Sequence, residues 1–178
     1  MKKRLTEILL MMSLSFLTAV SSAEVNQASS TELRRMLFSL KSSELGVNPR
    51  NFPFFVWGVV METGLTDGDY YTLAVLADGT VSLYVSNGGG IIGAGSHESV
   101  RSSAGRFLVY SEEFFDRGEV TTSYPPPSDN QVNFYFLTDE GNYMYSSPTV
   151  ALSEGEDPLS LLFLAGHSVI SELSEVAE

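Results

Sequence analysis

The sequence predicts an α+β domain: a five-stranded antiparallel sheet with helices on both faces, in the order helix-strand-strand-strand-helix-strand-strand-helix. Three observations predict it. Phe54 to Met61 is a run of eight residues, apolar on both strand faces, so it belongs in the middle of a sheet covered on either side. Two pairs of strand-like segments flank the turn sequences Asp78-Gly79 and Asp139-Glu140-Gly141-Asn142, which reads as two hairpins. Segments with apolar residues at helical spacing lie before, between and after them, and a sheet with two apolar faces needs helices on both.

The N-terminus is read first because it is not part of the fold. Lys2, Lys3 and Arg4 precede an uncharged apolar run from Ile8 to Val20, and Ser21-Ser22-Ala23 places small residues ahead of Glu24. This is the pattern of a secretory signal peptide over residues 1–23. The run of 13 residues falls short of the roughly 20 that cross a bilayer, so no stable membrane anchor is expected. The expected location is periplasmic or secreted, with the cytoplasm as the alternative. Cleavage after Ala23 removes three basic groups and Glu7, leaving 155 residues with a formal charge of −14. Residues 24–30 read as a tether and 31–178 as a single α+β domain.

Thr31 opens a helix in which Leu33, Met36, Leu37 and Leu40 form one apolar stripe, ending near Gly46. Asn48-Pro49 and Pro53 interrupt the chain before the central strand. Tyr70 to Ala77 pairs with Thr80 to Ser86 through a two-residue Asp-Gly turn. That register places Leu76, Ala74 and Thr72 beside Val81, Leu83 and Val85, and puts Val75, Leu73 and Tyr71 on the other face with Ser82, Tyr84 and Ser86. Asn87 to Gly95 holds too many glycines for a regular element. Ser96 is the expected N-cap of a helix reaching about Phe115, with Val100, Ala104, Phe107 and Leu108 buried and Gly118 as its stop. Glu119 to Asn130, with Pro125-Pro126-Pro127, is a surface connection. Gln131 to Thr138 and Tyr143 to about Pro148 form the second hairpin. Asp157 caps the last helix with Pro158 at its first position, and the helix runs to about Val176.

Composition excludes several classes of function. The 178 residues carry 10 Lys and Arg against 22 Asp and Glu, a formal charge of −12 that repels phosphate backbones, so nucleic acid is not an expected partner. The absence of cysteine excludes a disulfide framework, a thiolate zinc site, an iron–sulfur cluster and a cysteine nucleophile. His97 and His167 lie 70 positions apart without a companion ligand, and Asp67-Gly68-Asp69 lacks calcium-loop spacing, so no metal site is expected.

The glycine-rich loop is the strongest candidate for a site. Gly88, Gly89, Gly90, Gly93 and Gly95 precede a helix start, where successive backbone N–H groups and the positive end of the helix dipole suit an anion. Ser96, His97 and Arg101 follow, with His97 and Arg101 four apart on one helix face. The loop lacks the Lys-Ser/Thr of a phosphate-binding loop and the context of a dinucleotide fingerprint. The competing reading is that glycine lets a strand end pass closely under a helix. Catalysis by Ser96 or Ser99 with His97 is not expected, because neighbouring helical residues diverge by about 100° and no Gly-x-Ser-x-Gly elbow exists. Glu112, Glu113, Glu154, Glu156 and Asp157 read as helix-surface and helix-start acids, His167 and Trp57 as packed residues, and Tyr124 with Pro125 to Pro127 as a loop.

Trp57-Gly58-Val59-Val60-Met61, Ala77-Asp78-Gly79-Thr80 with Ser82-Leu83-Tyr84, and Gly88 to Gly95 with His97 and Val100-Arg101 together resemble a family of uncharacterised bacterial proteins. The resemblance spans about residues 33 to 176 and implies no activity. The element order also resembles that of small acidic chaperones of type III secretion, which implies a homodimer that binds extended segments of a protein partner in the cytoplasm. The signal peptide stands against that role.

The expected function is a non-enzymatic exported binding or protein-interaction module without a cofactor. The rival is a small-anion-binding protein or hydrolase using residues 88–95 with His97, and the third reading is the cytoplasmic chaperone-like dimer.

Overall fold

A computed structural model describes residues 27–48 and 52–177. The signal-peptide reading and residues 24–26 of the tether lie outside the described residues. The elements are helix α1 (Gln27–Ser39), strands β1 (Val56–Gly64), β2 (Tyr70–Leu76), β3 (Val81–Val85) and β4 (Gly90–Ile92), helix α2 (Glu98–Phe114), strands β5 (Glu119–Thr121), β6 (Gln131–Thr138) and β7 (Asn142–Pro148), and helices α3 (Thr149–Glu154) and α4 (Ser160–Val176). All strands join one antiparallel sheet in the order β4-β3-β2-β1-β6-β7-β5, with the doubly apolar β1 at its centre.

The sheet has seven strands, not the expected five, and there are four helices rather than three among the described residues. The additional strands are both edges. Gly88 and Gly89, at φ of +115° and +87°, fold the glycine segment back so that Gly90–Ile92 pairs with Ser82–Tyr84. Glu119–Thr121 pairs with Asn142–Met144 just before the proline run. Three residues show no usable alternation, so neither edge was visible as a pattern; partner strands supply their hydrogen bonds. Helix α3 is also too short to display a period.

The first hairpin is slipped by one residue from the expected register. Val75 faces Val81 and Leu73 faces Leu83, while Ala74 faces Ser82 and Thr72 faces Tyr84. Leu76 N–H donates to Thr80 O at 2.9 Å and Gly79 N–H to Leu76 O at 3.0 Å, with Gly79 at φ +90°, so the turn spans three residues, not two. A left-handed glycine closing a three-residue turn matches strand twist as well as a two-residue turn does. The extra residue exchanges the faces of every partner pair. It also puts Leu73, Val75, Val81 and Leu83 of this hairpin together on one side of the sheet.

On that side Val59, Met61, Leu73, Val75, Leu83, Phe134 and Phe136 pack against Val100, Ala104 and Phe107 of α2 and Leu162, Phe163 and Val169 of α4. Gly166 permits the close approach of α4, since a Cβ there would stand 2.8 Å from the Met61 sulfur and 3.2 Å from the Phe107 ring. The other side carries Trp57, Val60, Ala74, Leu76, Tyr135 and Leu137 beneath Leu37 and Phe38 of α1. Its pairs of Thr72 with Tyr84 and Ala74 with Ser82 make it more polar.

A buried charge joins α1 to that polar side. Glu62 of β1 is fully buried, and Arg34 of α1 grips it with Nε and Nη2 at 2.7 and 2.8 Å. Thr72 Oγ1 donates to the same carboxylate at 3.0 Å, and Arg34 Nη2 donates to Tyr124 O at 2.8 Å. Burial alone would lower the affinity of Arg34 for its proton, but the Glu62 carboxylate more than offsets that and holds it above its ordinary value.

Candidate functional site

The two halves of the glycine segment sit apart. Gly88 and Gly89 form the β3–β4 turn, where Gly88 N–H donates to Val85 O at 3.1 Å and Val85 N–H to Gly89 O at 3.0 Å. Gly93 and Gly95 lie beyond β4 at the other end of β3, about 13 Å away at ~3.4 Å per strand residue. A Cβ on Gly95 would fall 1.9 Å from Gly79 O, and one on Gly90 would fall 2.6 Å from Leu83 O. Close backbone passage therefore accounts for Gly90 and Gly95, and positive φ for Gly88, Gly89 and Gly93.

Ser96, His97 and Arg101 do come together. A 3₁₀ turn over Ala94–Ser96 precedes α2, and His97, not Ser96, occupies the N-cap position with extended dihedrals. The expected Ser96 cap fails because the tight turn has already used that residue: His97 N–H donates to Ala94 O at 3.1 Å. Arg101 N–H donates to His97 O at 2.9 Å, and its guanidinium reaches Ser96 O at 3.4 Å. All three residues are exposed at the start of α2.

From Arg101 the outer face of α2 continues through Ser102 and Arg106 to Val109 and Tyr110, and there it meets α4. A groove of about 260 Å³ between the helices is lined by Ser103, Arg106, Tyr110, Leu161, Leu164, Ala165 and Ser168. Leu161 is 66% exposed, and Val109, Tyr110 and Leu164 each exceed 40%. The first turns of α4, Ser160 to Leu164, place leucines on the outer face as well as the inner one, and a helix apolar all round is ordinarily covered all round. Arg106 donates to the hydroxyls of Ser102 at 2.9 Å and Ser103 at 2.8 Å, which leaves its charge without a carboxylate among the described residues.

Residues 52–177 contain 17 acidic side chains and three basic ones, Arg101, Arg106 and Arg117, all on α2 or the turn that ends it. Sequence reading reached Arg101 and His97 but not Arg106, Tyr110, Leu161 or Leu164. The signal was the Leu161-Leu162-Phe163-Leu164 run, too apolar for one buried stripe.

The remaining candidates are structural. Glu112 is not a free surface acid: its carboxylate accepts from Phe55 N–H at 3.0 Å and Val56 N–H at 2.9 Å and so closes the start of β1. Asp157 accepts from Leu159 N–H, Tyr145 Oη and Ser147 Oγ. Tyr124 stacks on Phe38 with ring centres 4.2 Å apart. His167 lies against the Phe163 ring and 3.4 Å from Tyr71 Oη, and burial lowers its pKa from 6.5 to about 4, so it stays neutral. Among the described residues no group of His, Asp and Glu is arranged to hold a metal ion, and no helix is long and apolar enough to cross a membrane. No protein family, curated protein or solved structure matches this chain.

Proposed function

We propose that this chain is an exported, non-enzymatic protein-interaction module whose docking surface is the outer face of α2 and α4. The observation that carries the reading is the coincidence, along one groove, of the exposed Leu161 and Leu164 with Arg106 and Tyr110 in an otherwise acidic domain. Exposed apolar groups supply burial on docking, and cations beside them select a partner segment that carries carboxylates between its apolar residues. Export rests on the sequence of residues 1–23.

The test uses protein recovered from its own host. Intact mass should give a start at Glu24, and recovery of the full-length chain from the cytosol refutes export. Cross-linked partners should be lost from Leu161→Asp/Leu164→Asp and weakened by Arg106→Glu, with far-ultraviolet circular dichroism unchanged. Capture that is indifferent to these substitutions places the docking surface elsewhere and overturns the reading.

A further inference from the structure

The outer face of α2 carries its own complement. Arg106 and Glu113 stand seven residues apart on this helix, two turns, and so share one stripe with Val109 and Tyr110 between them. All four are exposed, Val109 by 46% and Tyr110 by 41%. Neither charge is neutralised within the chain. Arg106 donates to the hydroxyls of Ser102 and Ser103, and Glu113 has no hydrogen-bond or ion-pair partner among the described residues. The adjacent Glu112, by contrast, is held by the backbone N–H groups that open β1.

The order along the stripe is cation, apolar pair, anion, which is complementary to its own reverse. A twofold axis crossing α2 at Val109 and Tyr110 therefore sets Arg106 of each copy against Glu113 of the other, and the apolar pair against its own counterpart. Leu161 and Leu164 lie beside Arg106 and Tyr110 across the groove, so the same axis brings these leucines to those of the second copy. A different protein would have to present a carboxylate and a cation at the same two-turn spacing, whereas a second copy does so by construction. Where two copies approach through acidic surface alone, like charges meet; here Arg106 offsets Glu113.

We propose that the partner of the α2–α4 face is a second copy of this chain, joined antiparallel about a twofold axis at Val109 and Tyr110. The inference rests on the docking surface proposed above and names its occupant. The leucines and Tyr110 supply the burial, and the charge pair, repeated by symmetry, fixes the register. Both helices have 17 residues. At ~1.5 Å per residue and ~10 Å between axes they offer about 1,000 Å² counted over both copies, the lower end of specific interfaces.

Sedimentation velocity on the chain recovered from its host, taken from low to high micromolar concentration, should show the mass rising from one copy to two. Arg106→Glu and Glu113→Arg each set like charges together twice across the axis, and each should raise the dimer Kd tenfold or more with circular dichroism unchanged. An equal mixture of the two variants regains both opposite-charge contacts and should return to the wild-type Kd. A role for either residue within its own copy gives no such rescue in trans. A chain that stays monomeric throughout, while host proteins are still lost from Leu161→Asp/Leu164→Asp, overturns the second copy as occupant and leaves the docking face standing. A dimer indifferent to both charge variants, or a mixture without rescue, overturns the axis.

Discussion

Arg34→Met should break the contact that ties α1 to the sheet. In the wild type both Glu62 oxygens receive a guanidinium N–H, at 2.7 and 2.8 Å, and the carboxylate has no exposed surface. Methionine retains much of the side-chain volume but leaves Glu62 with the Thr72 hydroxyl, a neutral donor at 3.0 Å. Removing one member of a buried ion pair costs about 3 to 5 kcal/mol, because the remaining charge stays in a medium that solvates it poorly. The Arg34 side chain is 14% exposed, so water admitted beside it favours the lower figure, about 3 kcal/mol. For a domain of this length that corresponds to a fall in Tm of about 6 to 12 °C. Most of the cost belongs to the stranded charge, not to the lost bond. Adding Glu62→Gln to Arg34→Met should therefore recover about half of it. Urea unfolding followed through Trp57, which lies on the same face, measures all three variants. The reasoning fails if Arg34→Met costs under about 1 kcal/mol, or if the double variant loses the sum of the single losses to within about 0.5 kcal/mol.

Three further outcomes follow from the packing. His167, with its pKa lowered from 6.5 to about 4, refuses in the folded state a proton that the unfolded chain accepts, so stability is complete above pH 6.5 and falls as pH drops toward 4. Between pH 7 and 5 that contributes at most about 2 kcal/mol, and His167→Leu should flatten the Tm profile there; an unchanged slope rejects it. Gly95→Ala forces a Cβ against Gly79 O and should cost about 1 to 3 kcal/mol, whereas Arg101→Ala should stay within about 0.5 kcal/mol. Equal melting temperatures for the two would remove the packing account of the loop. Trp57→Ala should cost about 3 to 5 kcal/mol, and native emission should be blue-shifted and move red on unfolding; red-shifted native emission contradicts its burial.

Much of the sheet was legible because its signals are local. The apolar run of β1 announced a central strand, and β6 spans Gln131–Thr138 as its pattern indicated. The spacing of Val100, Ala104 and Phe107 identified the buried stripe of α2. Glu62 shows where local reading stops: the apolar run ends at Met61, yet β1 continues to Gly64, and a guanidinium 28 residues earlier neutralises the buried carboxylate. The glycine loop likewise depends on distant partners. Its positive-φ positions and close contacts are requirements of the β3–β4 turn and of Gly79, which the chain reaches only once the sheet has formed.

By itself, then, the sequence determined the α+β class, the breaks between elements and the central strand, since each depends on period or turn chemistry within a few residues. Only the tertiary structure decided the hairpin register, the two edge strands, the Arg34–Glu62 pair and the groove between α2 and α4. These join segments up to about 65 positions apart, from Ser103 to Ser168. Such contacts form when two elements bury their faces together, and no stretch of either one encodes the other's position.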